Sequence, residues 1–329
     1  MTISPPTVRP RPAPRLSRDF FRTLLPSISL VVVLLAIYYF NPRAISYFGL
    51  NLMLNLGIPV ALATIAQMCV ITVNELDLSI GAYVGFIACV TATYMPGEPI
   101  VAALLCLAGI IVYAALGALI HLRNLPSIVI TLGMSYVWLG LAILIRPTPG
   151  GTAPDWLHDF MTLRVPYVPF PIVAAVVIAL VMHVVLMRSS YGAILRGAGG
   201  NAIAISRAGW SLMKTKVVMF ALAGLFGVFA GVALVGISTS ADANMANGYT
   251  LLSIAGAILG GAEFVGGRIS PIGAVIGALT LQLATVALTF FHVPLFPALR
   301  IPQEWQVGAQ GLILILILAV RAVITRSET

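Results

Sequence analysis

The sequence predicts an all-α, polytopic membrane protein, and three observations predict it. Hydrophobic residues fill 60% of the 329 positions, charged residues only 9%, and the mean hydropathy is +1.05. A soluble domain carries about 25% charged residues, so this composition cannot cover a water-facing globule. The apolar residues are gathered into runs of membrane-crossing length, separated by short polar connections. Lys and Arg are concentrated in a few of those connections, as they are in chains threaded repeatedly through a bilayer.

In chain order, residues 1–23 are rich in Pro and carry Arg9, Arg11, Arg15, Arg18 and Arg22; they are read as a disordered basic cytoplasmic tail. The first apolar run, 24–40, is followed by Asn41-Pro42-Arg43 rather than a small-residue cleavage site, so it is read as a retained span. Further runs follow at 50–73, 78–95, 100–120, 126–145, 170–187, 217–237, 251–265, 271–291 and 307–320, with a polar loop at 146–169. That gives ten candidate spans in one transmembrane domain, 24–323, and a short C-terminal tail, 324–329. The run 251–265 is short for a full crossing, and several others are laced with glycine. Broken or re-entrant helices are therefore predicted; such backbone is tolerated at membrane depth only inside protein or beside a water-filled cavity.

The longest interruption is 188–216, RSSYGAILRGAGGNAIAISRAGWSLMKTK, which holds Arg188, Arg196, Arg207, Lys214 and Lys216 and no acid. A short helix-forming piece, 201–207, follows the helix-breaking pair Gly199-Gly200. With the N-terminus placed inside and ten spans alternating, fourteen basic residues fall inside and four (Arg43, Arg146, Arg164, Arg300) outside. The acids divide evenly, as expected of residues that weigh little in topology. Both termini and the central basic loop are thus predicted to be cytoplasmic, and the loop to be a surface onto which another protein docks. The net charge of +8 is assigned to these inner ends and not to nucleic-acid binding.

Two motifs stand out. In Asn74-Glu75-Leu76-Asp77-Leu78-Ser79-Ile80-Gly81, two carboxylates lie between apolar runs, where an unpaired charge is costly. Asp77 and Ser79 are read as caps of the following helix, with contact to a solute or proton as the alternative. In the second, Gly260-Gly261 and Gly266-Gly267 bracket a tight turn carrying Glu263 and Arg268, a local pair with no catalytic role. Gly273 and Gly277 follow at the spacing that lets helices approach closely. No Gly-Lys-Ser/Thr sequence follows, so the turn is not read as a phosphate cradle.

His121, His158, His183 and His292 lack metal-ligand spacing, Cys69, Cys89 and Cys106 lie in apolar runs, and no catalytic group of side chains is apparent. Uncharged polar residues in or near spans (Gln67, Thr72, Thr131, Ser253 and Gln282 among them) suit interhelical hydrogen bonds, and equally the lining of a path for a polar solute.

Four segments together resemble one family. NELDLSIGA, LPSIVITLGM at 125–134, YGAILRGAGGNAIAISRAG, and ANGYTLLSIAGAILGGAEFVGGRISPIGAVIGAL fall in the order found in permease subunits of bacterial ABC importers of the ribose/monosaccharide type, within the larger group that includes branched-chain amino-acid permeases. The resemblance covers roughly 51–322. It implies an ABC importer permease fold in the bacterial inner membrane, a homodimer or a heterodimer with a similar permease subunit, two cytoplasmic ATPase subunits, and a periplasmic or extracellular solute-binding protein. ATP and Mg would be held by the ATPase partner, and no cofactor by this chain. Gly199, Gly200, Asn201, Ala204 and Arg207 match the coupling segment. Asp77, Ser79, Thr131, Gly260, Gly261, Gly266 and Gly267 become structural or pathway candidates. The chain departs from the family at Asn74-Glu75, where Gly-Gly is common, and at 202–206, where the usual Glu is missing and Arg207 stands one place late.

The expected function is ATP-driven uptake of a small polar solute, a monosaccharide or polyol, with a branched-chain amino acid as the alternative solute. An ion-coupled secondary transporter would carry ionisable residues at mid-membrane, whereas here the acids cluster near span ends.

Overall fold

The computed structural model describes residues 16–264, 266–290 and 308. Most of the predicted N-terminal tail, the predicted last span at 307–320 apart from one residue, and the C-terminal tail 324–329 lie outside the described residues. Among the described residues thirteen α-helices run in order: α1 (Leu16–Phe40), α2 (Tyr47–Asn55), α3 (Gly57–Thr72), α4 (Ile80–Tyr94), α5 (Pro99–Arg123), α6 (Ser127–Ile145), α7 (Asp155–Met161), α8 (Phe170–His183), α9 (Ser190–Gly200), α10 (Ala202–Arg207), α11 (Leu212–Ser238), α12 (Tyr249–Leu259) and α13 (Pro271–Phe290). No strand occurs among the described residues, only one isolated bridge between Gly150 and Ala241.

The fold is all-α and membrane-spanning, but the count of full spans is smaller than expected. Among the described residues, α5, α6, α8 with its π-turn to Arg188, and α11 are long and apolar enough to cross a membrane. Helices α2 and α3 make a fifth if the 42° bend between them falls within one span. Among the other predicted runs, α4 (Ile80–Tyr94) and α12 (Tyr249–Leu259) are short apolar helices.

Their shortness has a physical reason. Helix α3 is buried along its whole length, and α4 nearly so. A helix apolar on every side belongs inside a bundle. Helix α11 lies across α3, α4 and α5, while α12 and α13 cover another side of α3 and α6 covers α4. Enclosed by protein, α4 and α12 need not match the bilayer's thickness. By contrast α6 is mostly exposed, with Leu132, Tyr136 and Leu144 facing outward, as a lipid-facing helix requires.

Glycine sets the closest approach. A Cβ on Gly260 would run into the main chain at Gly273–Ala274, and one on Gly277 into the Gly256 carbonyl, so α12 and α13 meet backbone to backbone.

Two connections differ from expectation. The polar loop 146–169 contains α7, whose Leu157 and Met161 are buried against Gly236 of α11. The Ala153 amide also donates to the Thr239 carbonyl (2.9 Å), so this segment is a structured cap. The basic interruption 188–216 is helical almost throughout: α9, α10 and the first turn of α11 fill it. Ser189, Asn201 and Ser211 each accept a hydrogen bond from the amide three residues on, which starts the three helices in turn.

Candidate functional site

The break between α3 and α4, residues 73–79, is the polar centre of an apolar bundle. Asp77 and Ser79 are both fully buried. The Ser79 amide (2.7 Å) and hydroxyl (2.6 Å) donate to Asp77 Oδ1, and the Tyr113 hydroxyl from α5 donates to Asp77 Oδ2 (2.8 Å). This corrects the capping expectation: Ser79 occupies the N-cap position of α4, yet neither side chain accepts from that helix's first turn. Asp77 instead ties the break to α5.

Other side chains stitch the break's main chain to its neighbours. Thr131 Oγ1 of α6 accepts from the Leu78 amide (3.0 Å) and donates to the Ser127 carbonyl (2.8 Å), while Ser127 Oγ accepts from the Leu76 amide (3.1 Å). With its amide nitrogen turned to the Asp77 carbonyl, Gln67 donates there (3.0 Å) and accepts from the Asp77 amide (3.2 Å). A buried amide left unpaired costs about 1–3 kcal/mol, so four such bonds fix a non-helical stretch inside a bundle. Burial pushes the Asp77 carboxyl above its ordinary range, and the bonds from Ser79 and Tyr113 pull it back. Tyr113 stands in an aromatic cluster with Tyr83 (ring centroids 4.5 Å apart), and Trp138 lies 4.8 Å from Tyr83.

The coupling-segment residues divide between two environments. Gly199 is buried: a Cβ there would overlap the Thr72 carbonyl, so it is a contact of α9 with the end of α3. Gly200, Asn201, Ala204 and Arg207 are exposed. Helix α10 has no buried residue at all, and its Asn201 cap accepts from the Ala204 amide (3.0 Å). Ile203 is 67% exposed and Trp210, just past the helix, 45%.

The glycine turn has the form expected. Gly261 (φ 104°), Gly266 (φ 101°) and Gly267 (φ 62°) take left-handed backbone, the Glu263 amide donates to the Arg268 carbonyl (3.0 Å), and Arg268 pairs with Glu263 at 3.3 Å.

These three motifs, far apart in sequence, meet at one place. Asn74 donates through Nδ2 to the Gly199 carbonyl (2.8 Å), and its Oδ1 accepts from the Gly266 amide (3.2 Å). Glu75 forms an ion pair with Lys216 at the start of α11. A cavity of about 310 Å³ lies beside them, lined by Asn74, Glu75, His121, Ala198, Ala202 and Lys216 among others. The sequence did not single out Tyr113; a hydroxyl in the middle of an apolar run was the available signal, since buried Tyr needs a partner. Lys216 was visible only as one of five basic residues, because its partner lies 141 positions away.

The arrangement joins a surface helix to a buried polar break. The family described as branched-chain amino acid transport system / permease component matches residues 49–318.

The chain belongs to this permease family.

Among curated relatives, the autoinducer 2 import system permease protein of an Enterobacter species is 27% identical over 277 residues, covering 81% of this chain and 85% of that protein. The D-allose transport system permease protein of Escherichia coli is 28% identical, covering 68% of this chain and 70% of its own length. The ribose import permease protein of the same organism is 26% identical, with 82% and 88% covered. No solved structure matches the chain. This family member is a multi-pass membrane permease.

Proposed function

We propose that this chain is the membrane-spanning subunit of an ATP-driven importer for a small polar solute, a monosaccharide or polyol. The observation that carries the reading is α10: a capped helix with no buried residue, presenting Ile203, Ala204 and Arg207 outward and rooted through Gly199 on the bundle's interior. Cytoplasmic ATPase subunits grip this helix, hydrolyse ATP on their own Mg-bound sites, and move the bundle between inward- and outward-open states. A periplasmic or extracellular binding protein delivers the solute, and a second permease subunit completes the path, a second copy of this chain in the simplest assembly. The protein lies in the bacterial inner membrane with both termini cytoplasmic, the orientation that puts the basic α9–α11 segment inside.

Gly200, Asn201, Ala204 and Arg207 meet the ATPase. Asp77, Ser79 and Thr131 hold the break that the motion reaches, and Gly260, Gly261, Gly266 and Gly267 shape the turn against which α9 rests. The relatives named for ribose and D-allose support a sugar over the amino acid in the family's description.

Co-purification tests the reading. From native membranes the full chain should bring down an ATPase subunit, and deletion of residues 200–207 should abolish that association; association surviving the deletion overturns it. A reporter fused after Arg326 should lie in the cytoplasm. Labelled ribose or allose competing for uptake, with leucine inert, identifies the solute class, and the reverse pattern assigns the amino-acid alternative.

A further inference from the structure

We infer that Asn74, Glu75 and Lys216 form a two-point clasp that positions the coupling segment for transport, making them positioning residues of the uptake cycle. The inference deepens the reading of α10 as the docking helix and rests on it.

Asn74 has positive φ (60°), a backbone state that Asn tolerates better than most residues and that still carries a cost. Both ends of its amide are used across long sequence distances, on Gly199 at the end of α9 and on Gly266 in the glycine turn. One side chain therefore fixes three segments to each other. Glu75, the next residue, reaches in another direction to Lys216, which lies beyond α10 on α11. The α9–α10 segment is thus held on both flanks, one clasp before α10 and one after it.

The contacts beneath leave no slack on one side and room on the other. Added Cβ atoms would overlap the Thr72 carbonyl at Gly199 and the Arg196 carbonyl at Gly267, so α9 lies main chain to main chain against the end of α3 and the turn. Beside this contact lies the cavity of about 310 Å³, lined by the Glu75–Lys216 pair and by Ala198 and Ala202. A push on α10 can tilt the segment into that space only by straining or opening the charged clasp. Asn74 meanwhile passes the displacement along the main chain to Asp77, three residues on. The ion pair is partly exposed, with side chains 24% and 15% accessible, so it can open and reclose within a cycle.

The test has two arms. In the chain alone, in lipid nanodiscs, hydrogen exchange over residues 190–211 should speed up several-fold in Glu75→Gln, Lys216→Met and Asn74→Ala. Glu75→Lys and Lys216→Glu should each do the same, and the double charge reversal should return exchange toward wild type. Unchanged exchange in the single variants, or no rescue in the double, overturns the clasp whatever becomes of the ATPase reading.

In the assembled transporter, Glu75→Gln should cut uptake per ATP hydrolysed at least about five-fold while ATPase association and basal hydrolysis persist. Uptake and hydrolysis falling together, with rescue absent, overturns it as a merely structural contact. Failure of any ATPase to associate with the wild-type chain sinks the docking reading, and the exchange arm still decides the clasp.

Discussion

The break at 73–79 and helix α10 are both short polar interruptions in an apolar chain, and the molecule treats them in opposite ways. At the break, Asp77 and Ser79 are buried, as is Thr131 of α6 that reaches it, and the polar groups there are bonded to Gln67, Tyr113, Ser127 and the local main chain. In α10 no residue is buried, and the helix depends on its own Asn201 cap. A polar group inside a bundle persists only when fully partnered, whereas on a surface it persists at almost no cost. The first arrangement suits a fixed pivot and the second an exchangeable contact. Between them lies a seam of glycines at which α9 meets the end of α3 and the glycine turn main chain to main chain.

The largest effect that could break this contrast lies in the seam. Gly267→Ala adds a Cβ at left-handed φ against the Arg196 carbonyl, and should destabilise the fold by about 3 kcal/mol or prevent its accumulation. Thermal unfolding in detergent measures it; a variant as stable as wild type would mean that α9 is not seated as described.

Within the break, Asp77→Ala should cost about 3 kcal/mol, because two buried hydroxyls lose their acceptor. Asp77→Asn, which keeps an acceptor, should cost about 1 kcal/mol by the same measurement. Equal losses would show that the carboxyl's size matters and its hydrogen bonds do not. The same pair sharpens the electrostatics. Because the native Asp77 carboxyl is raised, wild type should be most stable below the ordinary carboxylate value of about 3.9 and lose stability as pH climbs toward the raised one. Asp77→Asn should lack that slope.

Tyr113→Phe should be milder, about 1–2 kcal/mol, since Asp77 keeps its Ser79 bonds. The smallest change in stability belongs to the surface. Arg207→Ala should move unfolding by no more than about 0.5 kcal/mol, while weakening ATPase association in a pull-down. An Arg207 variant that unfolds early, yet still binds the ATPase, would reverse the assignment of the two regions.

Much of this was legible beforehand, and the misses share a cause. The glycine turn with its Glu263–Arg268 pair, the short helix behind Asn201 and the unusual shortness of 251–265 are local matters of backbone freedom and spacing. Asp77 stands out in the sequence but reads as a cap, because capping is the local option for an acid just before a helix. Besides Ser79, its partner is Tyr113, 36 positions away. The loop at 146–169 reads as polar because α7 is a single short helix among polar and Pro/Gly residues, and its Leu157 and Met161 are buried only through packing on α11. Among the described residues α4 shows a similar limit: apolar length reads as lipid contact, whereas α4 is apolar because protein surrounds it.

By itself the sequence determined that this chain is a helical membrane protein, where its helices are interrupted and which interruptions are basic, since composition and period act within a few turns of the chain. Only the tertiary structure decided which interruption is inside and which outside, and that Asn74, Gly199 and Gly266 share one junction. Those outcomes depend on hydrogen-bond partners and close approaches between residues more than a hundred positions apart, which no local pattern encodes.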